Sequence, residues 1–324
     1  MTGVQTCALP ISGGFIGGAL VARLLAQGVR DVRCVDIKPL AEWQRRFEGC
    51  DNRVADLRSA AACEAACAGR EVVFNLACDM GGIGFIETRK ADCMISVLIN
   101  TNMLVAARAA GVRRFFYSSS ACVYAADKQT GTQVSLKEPD AYPAMPEDGY
   151  GWEKLFSERM ARHFREDFGL TTRMARYHNV YGPEGTWTGG REKAPAAICR
   201  KVAEVPDGGE IEVWGDGTAV RSYTYVDDLV DGILLLTASD RDEPANIGNP
   251  EYVSVNELVA TVAAVAGKTV TIRHIDGPVG VQSRNFANNA IEKLGFRANF
   301  PLRAGIERTY PWVAAQVEAA RAAG

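Results

Sequence analysis

The sequence predicts an α/β fold: a doubly wound parallel sheet with a smaller C-terminal α+β domain. Three observations carry this. Short apolar runs near 32–35, 71–77, 113–117 and 171–177 alternate with helical stretches, the pattern of βαβ units. The run Glu71–Ala77 (E-V-V-F-N-L-A) reads as a strand buried on both faces, as parallel strands are. A glycine turn, a helix and a strand ending in an acid stand at the start of the chain.

That opening segment reads G-G-F-I-G-G-A-L-V-A-R-L-L-A-Q-G-V-R over residues 13–30. The helix ends near Gly28, and Val32–Val35 closes on Asp36. This is the Rossmann-like dinucleotide arrangement. Gly14 and Gly17 let the backbone approach a pyrophosphate, and the helix N-terminus offers it free N–H groups. Asp36 would accept hydrogen bonds from the adenosine ribose and repel a 2′-phosphate, which favours NAD over NADP. Asp56 would close a third strand within reach of the adenine, or cap a helix.

The start of this motif is damaged. Pro10 cannot donate a ladder hydrogen bond in a central strand, and Ile11 or Ser12 stands where the first glycine belongs. Two readings are open. The loop is divergent but functional, or, as we favour, residues 1–12 are not the native start, since V-Q-T-C-A-L-P-I resembles a translated sequencing adaptor or an assembly junction. With the chain as written, weakened NAD affinity and low activity are expected.

Composition narrows the class. Across 324 residues, 47% hydrophobic and 23% charged is ordinary for a globular protein, and a net charge of −3 argues against a nucleic-acid coat or a membrane-surface patch. Nine cysteines, with no recognisable secretory signal, read as reduced thiols in a cytoplasm. The three scattered histidines make a metal site improbable, with Cys63 and Cys67 read as small buried residues of one helix.

Past the first strands, Cys78–Phe85 is a glycine-rich loop at a strand's C-terminal end, the edge where open α/β sheets bind ligands. Asn100–Gly111 is read as a helix and Arg113–Tyr117 as a strand breaking into Ser118-Ser-Ser-Ala-Cys-Val-Tyr124. Tyr150 and Lys154 lie one helical turn apart on one face. A lysine ammonium there would lower the phenol from about 10 toward neutrality. Ser120 would hold a substrate hydroxyl against that oxygen. The set suits oxidation of a secondary alcohol beside a hydride acceptor. Later segments read as a strand at 171–177, a helix after Lys193, a helix over Leu229–Thr237, a short strand at Pro244–Gly248, and a helix capped by Ser254 and running to Gly267. Arg284 falls in a polar loop before a terminal helix pair.

Phe74-Asn-Leu-Ala77, the Ser-Ser-x-x-Val-Tyr stretch, Tyr150-x3-Lys154 and Arg221-x-Tyr-Thr-Tyr-Val-Asp-Asp together resemble the extended short-chain dehydrogenase/reductase group that modifies nucleotide sugars. Within that group, Asp79-Met-Gly-Gly-Ile-Gly-Phe-Ile, Ser119-Ser-Ala-Cys-Val-Tyr and Trp187-Thr-Gly-Gly-Arg-Glu-Lys193 closely resemble the GDP-mannose 3,5-epimerase family. The resemblance covers nearly the whole chain after residue 12. It implies an NAD-dependent isomerase acting on GDP-mannose. Tyr150, with Lys154, takes the C4 hydroxyl proton as hydride leaves C4. The 4-ketone acidifies C3–H and C5–H, and Cys122 and Lys193 are the acid/base pair. The thiol's pKa would fall beside a cation and the amine's on desolvation. Hydride returns to C4, giving GDP-L-galactose, with the C5 epimer as a second product.

The resemblance further implies substrate contacts from Gly81, Ser120, Asn179, Lys193, Lys201 and Arg284, with Arg221 as an added cation. Ala219 departs from plant members, which carry an amide there. The expected division is an NAD-binding domain of 1–178 with about 223–249 returning, and a substrate domain of 179–222 and 250–324. A homodimer through a two-helix face is the expectation by analogy. Two alternatives stand beside this reading. Another NAD-dependent nucleotide-sugar enzyme, such as a UDP-hexose 4-epimerase or a dehydratase, would need no acid/base pair at C3 and C5. A non-catalytic NAD-binding relative would not need the Tyr, Lys, Cys, Lys set at all.

Overall fold

The computed structural model describes residues 5–129 and 135–323. In chain order its elements are β1 (Thr6–Pro10), α1 (Phe15–Ala26), β2 (Asp31–Asp36), β3 (Asp51–Val54), α2 (Ala60–Cys67), β4 (Val72–Asn75), α3 (Ile83–Thr88), α4 (Lys90–Ala109), β5 (Arg114–Ser120), α5 (Asp148–Phe168) and β6 (Thr171–Tyr177). There follow β7 (Asn179–Tyr181), α6 (Ala194–Glu204), β8 (Glu210–Trp214), β9 (Val220–Tyr225), α7 (Val226–Ala238), β10 (Ala245–Ile247), β11 (Tyr252–Ser254), α8 (Val255–Ala266), β12 (Thr271–Ile275), β13 (Ser283–Arg284), α9 (Asn289–Glu292) and α10 (Leu302–Ala323).

Seven strands form one sheet in the order β10-β6-β5-β4-β1-β2-β3, and every pair in it is parallel. Strand order reverses between β1 and β4, so the crevice for a ligand opens at the C-terminal ends of those two strands. The expected doubly wound sheet is present. A smaller layer follows: β11, β9, β13 and β7 form a four-stranded mixed sheet, and β12 pairs with β8. Helices α6, α8 and α10 pack on one another beside it. A continuous apolar core joins the two regions, running from Leu9, Leu20 and Phe74 to Val202, Leu258 and Ile306.

Local chemistry explains the helix ends. The Ser254 hydroxyl accepts from the Glu257 N–H while the Glu257 carboxylate accepts from the Ser254 N–H, a capping box that starts α8. Gly169 ends α5 in the left-handed region at φ 71°.

The boundaries differ from expectation in four places. Helix α4 begins at Lys90, ten residues before the expected Asn100, because β-branched Ile95, Val97 and Ile99 mask its helical period. The second half of the expected glycine loop is the short helix α3. Strand β5 continues through the serines to Ser120, since its pairing with β6 runs on to Ser120↔Tyr177. Arg284 sits on a strand, β13, beside Arg221 of β9, and not in a loop.

Of the suspect N-terminal segment, residues 1–4 lie outside the described residues. Thr6–Pro10 forms β1, buried between β2 and β4, and Pro10 is its last residue, where a missing donor costs little. The damage falls on Ile11, which adopts φ 65°. That left-handed conformation suits glycine and strains a β-branched residue by about 1–2 kcal/mol. It is imposed by the turn: a Cβ on Gly17 would lie 2.0 Å from the Ile11 carbonyl oxygen, so the α1 N-terminus packs directly on this peptide.

The strain is measurable. Ile11→Ala keeps the Cβ and the unfavourable φ, whereas Ile11→Gly removes both. Ile11→Gly is expected to be more stable than Ile11→Ala by about 1 kcal/mol in urea unfolding. The reverse order would show that the turn is not strained at this residue.

Candidate active site

The crevice places the expected cofactor residues along β1 and β2. Asp36 closes β2 and is 3% exposed. Its Oδ1 accepts from the Lys38 N–H at 3.0 Å, while Oδ2 is buried with no partner. A buried carboxylate oxygen left without a partner at a strand's C-terminal end fits a ribose hydroxyl. Gly14 is the extended residue preceding α1, and Gly17 lies in its first turn against Ile11. Asp56 stands apart: it binds Arg58 through a 2.6 Å ion pair, and the residue preceding α2 is Ser59, so Asp56 caps no helix.

The chemistry-bearing residues gather beyond the ends of β4 and β5. Ser120 ends β5, and its hydroxyl accepts from the Cys122 N–H at 3.2 Å, which turns the chain and buries the thiol. Helix α5 crosses this turn so closely that a Cβ on Gly151 would lie 2.3 Å from the Cys122 carbonyl oxygen. The approach sets Tyr150 beside Cys122, Cys93 and Ile86 in one apolar cluster. Lys154, 1% exposed, donates to the Ser118 carbonyl at 3.1 Å and lies 3.5 Å from Glu153 Oε2.

Lys193 arrives from the far side, immediately before α6. The two stretches on either side of it in space are zipped together. Lys193 Nζ donates to the Gly81 carbonyl at 2.9 Å, Gly82 N–H to Arg191 O at 3.1 Å, and Arg191 to Asp79 at 2.7 Å. The Arg191 guanidinium also covers the Phe85 ring at 3.8 Å. Arg284 points Nη1 at Cys122 Sγ, 3.5 Å away, and pairs with Glu147 through Nη2.

Other expected substrate contacts lie further out. Asn179 on β7 donates to Ser222 O at 3.2 Å. Lys201, two turns along α6 from Lys193, donates to Glu212 O at 2.6 Å. Arg221 spends its donors on the carbonyls of Val220, Val279, Val281 and Gln282. Thus Ser120, Cys122, Tyr150, Lys154, Lys193, Gly81 and Arg284 converge, whereas Asp56 and Lys201 hold partners of their own outside that cluster.

The electrostatics differ from expectation at two groups. Burial raises Tyr150 well above its usual range, with Cys78 adding to the rise and Lys154 opposing it. Burial and Glu147 push the Cys122 thiol up, while Arg284, Ser120 and Lys193 pull it down without prevailing. Burial lowers Lys193 as expected. Lys154 would be lowered by burial, but Cys78, Glu153 and Tyr150 outweigh that and hold it charged.

Sequence reading missed Cys78 and Glu147. Cys78 follows the end of β4, packs against the Tyr150–Cys122 cluster and bears on the Lys154 charge; its place at a strand's C-terminal edge was the available signal. Glu147 meets Arg284 only through a contact 137 residues apart, for which no local pattern exists.

Known proteins resemble this chain in sequence and in fold. The sequence profile of the NAD dependent epimerase/dehydratase family matches residues 12–248. The GDP-mannose 3,5-epimerase of Arabidopsis thaliana is 45% identical over 322 residues, covering 97% of this chain and 83% of its own. GDP-mannose 3,5-epimerase 1 of Oryza sativa subsp. japonica is 44% identical over 321 residues, covering 97% and 82%. In fold, UDP-glucose 4-epimerase of Thermotoga maritima, crystallised with UDP-glucose, aligns with a TM-score of 0.86 at 22% identity, over 96% of this chain and 99% of that one. UDP-glucose 4-epimerase of Thermus thermophilus in complex with NAD aligns with a TM-score of 0.83 at 23% identity, over 95% and 99%. The chain therefore belongs to the NAD dependent epimerase/dehydratase family, is Rossmann-like in fold, and uses NAD as its cofactor.

Proposed function

We propose that this protein epimerises GDP-mannose at C3 and C5 to GDP-L-galactose through transient oxidation at C4. The observation that carries the reading is likeness to GDP-mannose 3,5-epimerases over 97% of the chain. The convergence of Cys122 and Lys193 on the Tyr150–Lys154 pair supports it. NAD would supply the hydride acceptor for C4 and the hydride that is returned there. Gly14, Gly17 and Asp36 would hold the cofactor, with Tyr150 and Lys154 at its reactive end; Asp56 would need to leave Arg58 to reach an adenine.

Tyr150, as a phenolate stabilised by the Lys154 ammonium, takes the C4 hydroxyl proton and becomes the neutral phenol. Ser120 holds a sugar hydroxyl at the end of β5. Cys122 and Lys193 approach from opposite segments, so one removes and the other delivers a proton at C5 and then at C3. A thiol held protonated and an amine lowered by burial suit the donor and acceptor roles respectively. Gly81, Asn179, Lys201, Arg221 and Arg284 would hold the sugar and the diphosphate. A UDP-hexose 4-epimerase would leave Cys122 and Lys193 without work.

The domain division we propose follows the sheets: residues 1–178 with 223–249 for NAD, and 179–222 with 250–324 for the nucleotide sugar. Return of β10 to the edge of the large sheet supports it. Nine free thiols and a net charge of −3 support a reducing cytoplasm and a small-molecule substrate, with no nucleic acid or membrane partner. Among the described residues no helix is long and apolar enough to cross a membrane.

A homodimer is the proposed assembly. Helices α4 and α5 pack side by side and leave Ile95, Leu98, Val105, Trp152, Phe156 and Phe168 exposed. A second copy presenting the same face would cover them around a twofold axis.

Three experiments test these readings. Incubation with GDP-mannose and NAD should yield GDP-L-galactose by NMR of the sugar ring. Cys122→Ala should lower that rate by about a hundredfold or more while NAD titration is unchanged; an unaltered rate would remove the thiol from catalysis. In sedimentation, the protein should run as a dimer and Phe156→Glu as a monomer; a monomeric parent protein would refute the assembly.

A further inference from the structure

Glu147 closes the loop that leads into α5, and its contacts join three segments. Its backbone N–H donates to Cys122 O at 2.9 Å. Its Oε1 accepts from Gln129 Nε2 at 3.1 Å, and Gln129 O accepts from the Ser283 N–H at 3.2 Å, which ties β13 to the same loop. Its Oε2 takes Nη2 of Arg284. The side chains of the pair are 13% and 12% exposed. The other terminal nitrogen, Nη1, is the one that faces Cys122 Sγ at 3.5 Å. Carboxylate, guanidinium and sulfur thus stand in a row, with the guanidinium gripped from behind.

We propose that Glu147 is a positioning residue for Cys122: it anchors the Arg284 guanidinium against the sulfur, and the pair together governs the protonation of that sulfur. A guanidinium alone would favour a thiolate. A carboxylate directly behind it offsets that charge and keeps the thiol protonated. Every packed element contributes a group facing the sulfur. Ser120 comes from β5, Glu147 from the loop before α5, Tyr150 from α5, Cys78 from the segment after β4, Cys93 from α4, Lys193 from the segment before α6, and Arg284 from β13. Only Glu147 among them carries a fixed negative charge. The balance of burial and Glu147 against Arg284, Ser120 and Lys193 keeps the thiol in its neutral form. The catalytic consequence rests on the reading of Cys122 as an acid/base at C3 and C5; the protonation itself does not.

The test reads the sulfur directly. The rate of iodoacetamide alkylation at Cys122 is followed against pH on the full chain without substrate, by mass spectrometry of the Cys122 peptide, with thermal unfolding confirming that each variant is folded. E147Q keeps an oxygen for Arg284 and Gln129 but loses the charge, so its alkylation midpoint should fall by about one pH unit, tenfold more thiolate at a given pH. R284A should titrate above the parent protein. E147A frees the guanidinium and should titrate above E147Q. Superposition of E147A on E147Q, or of R284A on the parent, would overturn the proposal. If the ordering appears while GDP-mannose is not epimerised, the functional reading falls and the positioning role stands.

Discussion

Lys154 carries its charge inside the protein, 1% exposed, and a buried ammonium is tolerable only when surrounding groups hold it. The Ser118 carbonyl, Glu153 and Cys78 do so. Glu153 is held in turn by Tyr117, Ser157 and Asn100, and Asn100 by Asn75. This polar chain touches β4, β5, α4 and α5, so the ends of two central strands and the face of α5 are fixed relative to one another. Tyr150 takes its position from that framework. The tight crossing at Gly151 then brings Cys122 to the same place.

A second buried pair does for the turn what Glu153 does for the lysine. Arg176 and Glu158 meet at 2.7 Å with side chains 2% and 4% exposed, and Glu158 also accepts from Ser119. Arg176 reaches the Tyr124 hydroxyl and the Glu138 carbonyl as well. Ser120 and Cys122 lie between these anchors. Their loop is therefore rigid at both ends, which a proton-transfer group needs if it is to meet a carbon on a fixed face.

Much of this is legible in the sequence alone. The glycine turn and Asp36, the Tyr150–Lys154 spacing and the Ser254 cap all depend on local rules, and each sits where those rules put it. Helix α4 starts ten residues before the expected position because β-branched Ile95, Val97 and Ile99 alternate in its first half, a spacing that reads as strand. The charge states of Cys122 and Tyr150 could not be read, because burial is a tertiary property and outweighs the neighbouring cations. Glu147 was invisible for the same reason. Ile11 is the opposite case: the missing glycine was plain in the sequence, and the backbone adopts the glycine conformation with an isoleucine in it.

The account turns on proton exchange at two carbons while a third keeps its hydrogen. The direct measurement is NMR of GDP-mannose turned over by this protein with NAD in deuterium oxide. Deuterium should enter C3 and C5 of the sugar, and C4 should retain its original hydrogen. Turnover with no label at C3 or C5 would contradict the assignment of Cys122 and Lys193 to epimerisation.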